Sequence, residues 1–148
     1  MLKNDKIIKT PHVYIREISS DIGRGVFSNR AFFKDEVVEV APAILLSQNY
    51  NNLPVEFKDR VFNWGYLTKS SVGSSLVLGY GSVYNHSDRP NLRYEADDNR
   101  QVMRFIARRA IDPNEQLTIH YDQADGVHKE IEKDWFKKHD IQQSTIEG

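Results

Sequence analysis

Tyr84-Asn85-His86-Ser87-Asp88-Arg89-Pro90-Asn91 and, further along, Glu115-Gln116-Leu117-Thr118-Ile119-His120-Tyr121 are the stretches whose reading decides this chain. In the second, Leu117, Ile119 and Tyr121 fall on one face of a strand, so Tyr121 is expected to point with the buried side chains and His120 to face the other way. The first places Asn and His ahead of Ser and Pro, which by itself makes an Asx-type turn with a locally satisfied imidazole. A third segment upstream, Gly23-Arg24-Gly25-Val26-Phe27, by itself reads as a β-turn. Its glycines permit positive φ and let backbone N–H groups approach a ligand, but no helix follows it, as a dinucleotide fingerprint requires.

Around these segments the chain is short: 148 residues make one domain able to bury roughly two thirds of its unfolded surface. It has no cysteine, which excludes disulfides and thiolate zinc sites. Lysine plus arginine number 20 against 21 acidic residues, a net charge of −1 that gives no broad attraction to nucleic acid. The longest apolar stretch, Val37 to Leu46, is about half a membrane span and is broken by Glu39 and Pro42. No apolar h-region follows the charged N-terminus, so the expectation is a cytoplasmic protein, with export to a host cell left open.

The first third reads as short strands, with β-branched Val13, Ile15, Val37, Val38 and Val40 between turn residues. Phe57, Val61 and Trp64, three or four apart after Pro54, predict one helix from Pro54 to Leu67. Ser70 to Ser75 reads as a flexible link before Leu76-Val77-Leu78. Leu92, Tyr94 and Ala96 alternate with polar residues, Asp97-Asp98-Asn99 turns, and Val102 to Ile106 returns, which is a hairpin with a structural acidic tip. His12, His86, His120, His128 and His139 are too dispersed for a recognised ligand spacing, so no metal is expected. Ser87 lacks the glycines of a nucleophile elbow.

Taken together and in this order, Gly-x-Gly-x-Phe, Asn-His-Ser-x-x-Pro-Asn and Glu-x-Leu-x-x-x-Tyr resemble the SET domain family, and the similarity runs from about residue 12 to 136. The resemblance implies a mainly β, β-clip-like fold of several small antiparallel sheets with one helix and a threaded, pseudoknot-like C-terminal segment. It divides the chain into an N-terminal arm (1–11), the SET domain (12–136) and a C-terminal tail (137–148). It also implies transfer of methyl groups from S-adenosylmethionine to a lysine ε-amine of a protein, in a minimal version without the cysteine-rich modules of many relatives. By the same resemblance, Arg24, Gly25, Asn85, His86 and Trp135 contact the cofactor. Tyr80, Tyr121 and Trp135 meet the substrate lysine, and Tyr121 is catalytic.

A phenol at this place has a chemical rationale. In-line substitution at a sulfonium methyl needs a neutral amine, while a free lysine has a pKa of about 10.4. A nearby positive sulfur and an apolar channel both lower that value. A tyrosine with pKa near 10 is a poor base, so Tyr121 is assigned orientation and electrostatics.

The sequence departs from the family pattern at three points. Asn114 stands where glycine is common and tolerates left-handed backbone. Asp88 stands where cysteine often follows the serine, and Asp122-Gln123-Ala124-Asp125 replaces the aromatic that often follows the tyrosine. Trp135-Phe136 resembles the ending of short bacterial members, and Trp135 is either an aromatic lid or plain C-terminal packing. Glu36, Glu39 and Asp122 to Asp125 could supply negative charge to a basic, histone-like tail. The expected partner is a lysine-bearing protein or peptide, with a homodimer possible and no direct nucleic acid or membrane. The alternative is a catalytically weak SET-fold module that binds cofactor or peptide as an assembly protein.

Overall fold

The computed structural model describes residues 7–70 and 73–126, which form two antiparallel-dominated sheets. In chain order the strands are β1 (Val13–Ser19), β2 (Gly23–Ser28), β3 (Val37–Leu46), β4 (Val61–Asn63), β5 (Ser74–Val77), β6 (Asn85–His86), β7 (Leu92–Asp97), β8 (Val102–Ala107) and β9 (Gln116–Ile119). One sheet runs β1-β2-β9-β6 and the other β4-β5-β3-β8-β7. Among the described residues, helical structure comprises a 3₁₀ turn at Tyr50–Asn52 and two short helices, α1 (Val55–Lys58) and α2 (Trp64–Thr68). Among the described residues no helix is long and apolar enough to cross a membrane.

The Gly-x-Gly segment is not itself a turn. The turn precedes it, with the Ile22 N–H donating to Ser19 Oγ, and the glycines open strand β2. Gly23 takes φ +83° where β2 begins, a conformation that favours glycine. Phe27 is buried and stacks on Tyr14 at 5.7 Å, with the Arg16 guanidinium over its other face.

The expected helix over Pro54 to Leu67 is interrupted. Asp59 ends α1, and Val61, Phe62 and Asn63 pair with Leu76, Ser75 and Ser74 of β5. The Asn63 side chain then accepts from the Tyr66 N–H and starts α2 anew. The strand pairing and the cap both act locally on residues whose apolar spacing fits helix or strand equally well. Ser74 and Ser75, expected within a flexible link, are instead buried in β5.

The hairpin of β7 and β8 forms as expected, and its acidic tip is structural. Asp97 accepts from the Arg100 N–H and from Arg104, and Asp98 accepts from the Trp64 indole at 2.8 Å. Asn114 has φ +65°, the left-handed backbone anticipated for it.

The threading is carried by β6 and β9, a parallel pair that aligns Asn85 with Thr118 and His86 with Ile119. Just beyond β6, the Ser87 N–H donates to Ile119 O at 2.9 Å. Fully buried Asn91 then bonds to β9 with both ends of its carboxamide. Nδ2 donates to Gln116 O at 2.7 Å, and Oδ1 accepts from the Thr118 N–H at 2.9 Å. An alanine there would leave both backbone groups buried without these partners, at about 1–3 kcal/mol for each. Asn91→Ala is expected to lose about 2–4 kcal/mol of stability in urea unfolding; a loss within experimental error would show that β9 is held by other means.

Candidate functional site

Tyr121 lies two residues beyond the end of β9 and is fixed at three of its polar atoms. Its N–H donates to His86 Nδ1 at 3.0 Å, its hydroxyl donates to Tyr84 O at 3.2 Å, and its carbonyl accepts from the Tyr94 hydroxyl at 3.4 Å. The first two partners come from the 84–86 segment, so the threaded pairing of β6 with β9 places this phenol. Burial pushes the Tyr121 phenol above its usual range, so it is a neutral hydroxyl near pH 7. Its proton is directed at Tyr84 O, which leaves the oxygen lone pairs to accept from another donor.

His120 does not face away into solvent. All four residues of β9 are buried, and so is His120, because β2 and β6 flank the strand while the rest of the chain covers both faces.

A cavity of about 590 Å³ opens beside this phenol. Its lining includes Tyr84, Ile119 and Tyr121 together with Arg60, Phe62 and Tyr66. Tyr66, in that lining, is 74% exposed. Asp59 and Arg60 act on Tyr121 with opposite signs, so the cavity carries no single dominant charge.

On the other side of the same strand pair lies a second constellation. Asn85 Nδ2 donates to Arg24 O at 3.0 Å and to Gln116 Oε1 at 2.9 Å. Gly25 sits against them: a Cβ there would lie 2.7 Å from Gln116 Oε1 and from Ile18 Cδ1, and 3.2 Å from Asn85 Nδ2. A side chain at position 25 would require the ends of the Gln116, Ile18 and Asn85 side chains to shift. Arg24, Gly25 and Asn85 are therefore brought together across strands distant in sequence, with His86 adjacent. Tyr80 is not on the cavity wall; its ring packs partly against the core. Trp135 lies outside the described residues.

Glu39 takes a place that its sequence reading missed. It is 4% exposed and supplies no charge to a surface. Oε1 accepts from the Tyr84 hydroxyl at 2.7 Å and Oε2 from the Tyr80 N–H at 2.9 Å, so a buried carboxylate anchors the segment that leads into β6. Glu36 is likewise engaged, paired with Arg30 at 2.6 Å. Gln116, as the partner of Asn85, was also not foreseen; a polar residue opening an otherwise buried strand was its one signal. The structure further gathers His86, Asp88 and His120, scattered in the sequence, with ligand atoms within 4.8 Å of one another.

Burial pushes the Glu39 carboxyl above its ordinary value of 4.5, against the hydrogen bonds from Tyr80 and Tyr84 that favour the charged form. The native state thus holds this proton more tightly than the unfolded chain. The contribution is complete below pH 4.5 and is lost as pH rises through the raised value. Glu39→Gln has no proton to exchange. Thermal melts across this window should show wild-type stability falling relative to the variant as pH rises; parallel profiles would contradict this titration.

Comparison with known proteins identifies a family and similar individual proteins. Residues 23–122 match the SET domain. A Schizosaccharomyces pombe protein, a histone-lysine N-methyltransferase specific for lysine 37 of H3, is 28% identical over 99 residues, 67% of this chain. The match spans 66% of the yeast protein, just under two thirds of its length. A Plasmodium falciparum crystal structure, named provisionally as a histone methyltransferase, superposes with a TM-score of 0.60 at 29% identity. That superposition covers 77% of this chain and 95% of the other.

Proposed function

The chain belongs to the SET domain family, and from that premise we propose that it is a protein-lysine N-methyltransferase using S-adenosylmethionine. The observation that carries the reading is the two-sided seam of β6 and β9. One side presents the glycine cradle with Arg24, Asn85 and Gln116, and the other presents the Tyr121 phenol to a cavity. Intact Tyr121, Asn85 and His86 favour an enzyme over a module that only binds.

The cradle fits a cofactor, because the Gly25 backbone carries no Cβ and lies among the polar ends of Asn85 and Gln116, so a ligand can contact it directly. When bound, S-adenosylmethionine supplies an electrophilic methyl group on a sulfonium. Arg24, Gly25, Asn85 and His86 would hold it. On the cavity side, the Tyr121 oxygen accepts an N–H from the substrate amine and thereby aims the amine lone pair. The partly apolar cavity wall strips water from that amine and lowers its pKa from about 10.4. Neutral Tyr121 orients and does not abstract the proton, which passes to solvent. Orientation of this kind can supply up to roughly 7–11 kcal/mol of the barrier.

The yeast relative is named as a histone H3 lysine methyltransferase, and a histone-like tail is the first substrate to test. Calorimetric titration with S-adenosylmethionine, followed by mass spectrometry of mixed histones and lysate proteins, is expected to show binding and the gain of one methylene on lysine. Binding without transfer to any protein would favour the binding-module alternative. Tyr121→Phe should keep cofactor affinity and lower methyl transfer severalfold or more, and normal activity would remove the proposed role. Gly25→Ala should weaken cofactor binding by about tenfold, on the order of 1.4 kcal/mol, by the same titration.

A further inference from the structure

The cluster of His86, Asp88 and His120 has ligand atoms close enough for a metal ion, and its hydrogen bonds indicate what it does instead. A backbone N–H can only donate. His86 Nδ1 lies 3.0 Å from the Tyr121 N–H, and His120 Nδ1 lies 3.3 Å from the Asp122 N–H. Both Nδ1 atoms are therefore acceptors without a proton, and each neutral ring carries its proton on Nε2. Those Nε2 atoms face one carboxylate oxygen: His86 Nε2 is 3.3 Å and His120 Nε2 3.9 Å from Asp88 Oδ1. The first is a hydrogen bond and the second a charge–dipole contact. The rings pack edge to face at 4.6 Å, and both are essentially buried, at 2% and 0% exposure.

A metal on Nε2 would need the opposite tautomer in both rings. Each Nδ1 would then carry a proton aimed at a backbone N–H, and two hydrogen bonds at the exit of β9 would be lost.

We infer that Asp88 is a positioning residue: through the Nε2–H of His86 it locks that imidazole in one tautomer and so fixes the backbone of Tyr121. The inference rests on the proposed methyltransferase reading for its consequence, but the lock is a property of the fold. Its action is transmitted. The carboxylate, with its side chain 42% exposed, sets the His86 ring, whose other nitrogen accepts from the Tyr121 N–H at the point where the phenol departs. Misplacement of a reacting group by a fraction of an ångström is enough to slow transfer.

The test uses the full chain labelled with ¹⁵N and reads long-range ¹H–¹⁵N imidazole spectra, assigned with His86→Gln and His120→Gln. Wild type should show both rings protonated at Nε2 and bare at Nδ1. Asp88→Ala should mix the tautomers of His86 and lower kcat by about tenfold with KM for the protein substrate little changed. Asp88→Asn, which keeps an acceptor oxygen, should restore the single tautomer and most of kcat. A proton on Nδ1 in wild type, or an Asp88→Ala variant with unchanged tautomers, would overturn the lock. So would zinc ions bound at micromolar concentration with loss of the Nε2–H signals. If the chain transfers no methyl group at all, the enzyme reading fails on that count while the spectra still decide the lock.

Discussion

The Asn91 carboxamide bonds to β9 as a neighbouring strand would, donating to Gln116 O and accepting from the Thr118 N–H. β9 is short and fully buried, flanked by antiparallel β2 and by a parallel β6 of only two residues. Two residues of parallel pairing give few hydrogen bonds, and every backbone group left over in the interior must find another partner. Asn91 and the Ser87 N–H supply those partners, so the Asn85–Asn91 run works as one side-chain-assisted strand. A hydrocarbon at position 91 could fill the volume but could not satisfy both a carbonyl and an amide.

The placement of each group in the candidate site follows from that seam. Strand geometry sends alternate residues to opposite sides. Tyr84 accordingly joins Tyr121 at the cavity, and Asn85 turns to Arg24 and Gln116 beside Gly25. Glu39 steadies the approach to β6 from the other sheet, and the Tyr84 ring rests on Phe105 at 4.7 Å. A buried acid held by a phenol and a backbone N–H is stable only while both donors remain. The two sheets are thereby tied to each other through the same short segment.

Much of this architecture was legible in the sequence, for physical reasons. The alternation in Leu92–Ala96, the turn at Asp97–Asn99 and the left-handed Asn114 are local signals, and the structure reproduces them, whereas β9 is buried on both faces. Phe57, Val61 and Trp64 misled because pairing with β5 is non-local and outweighs a weak helical period. Glu39 was misread as surface charge, although a single acid within Val37-Val38-Glu39-Val40-Ala41 is what a buried, doubly bonded carboxylate looks like in a sequence. The approach of His86, Asp88 and His120 could not have been read at all, because it exists only once β6 lies parallel to β9. The threading itself came from resemblance to the family, not from periodicity.

The central claim is that cofactor and substrate meet across the seam of β6 and β9, and amide hydrogen exchange with and without S-adenosylmethionine tests it most directly. The account predicts that the cofactor slows exchange in residues 24–27 and 85–87 while the cavity segment 58–67 is little changed until a lysine peptide is added. Protection confined to 58–67 on adding the cofactor alone would contradict it, because the ligand would then occupy the cavity assigned to the substrate.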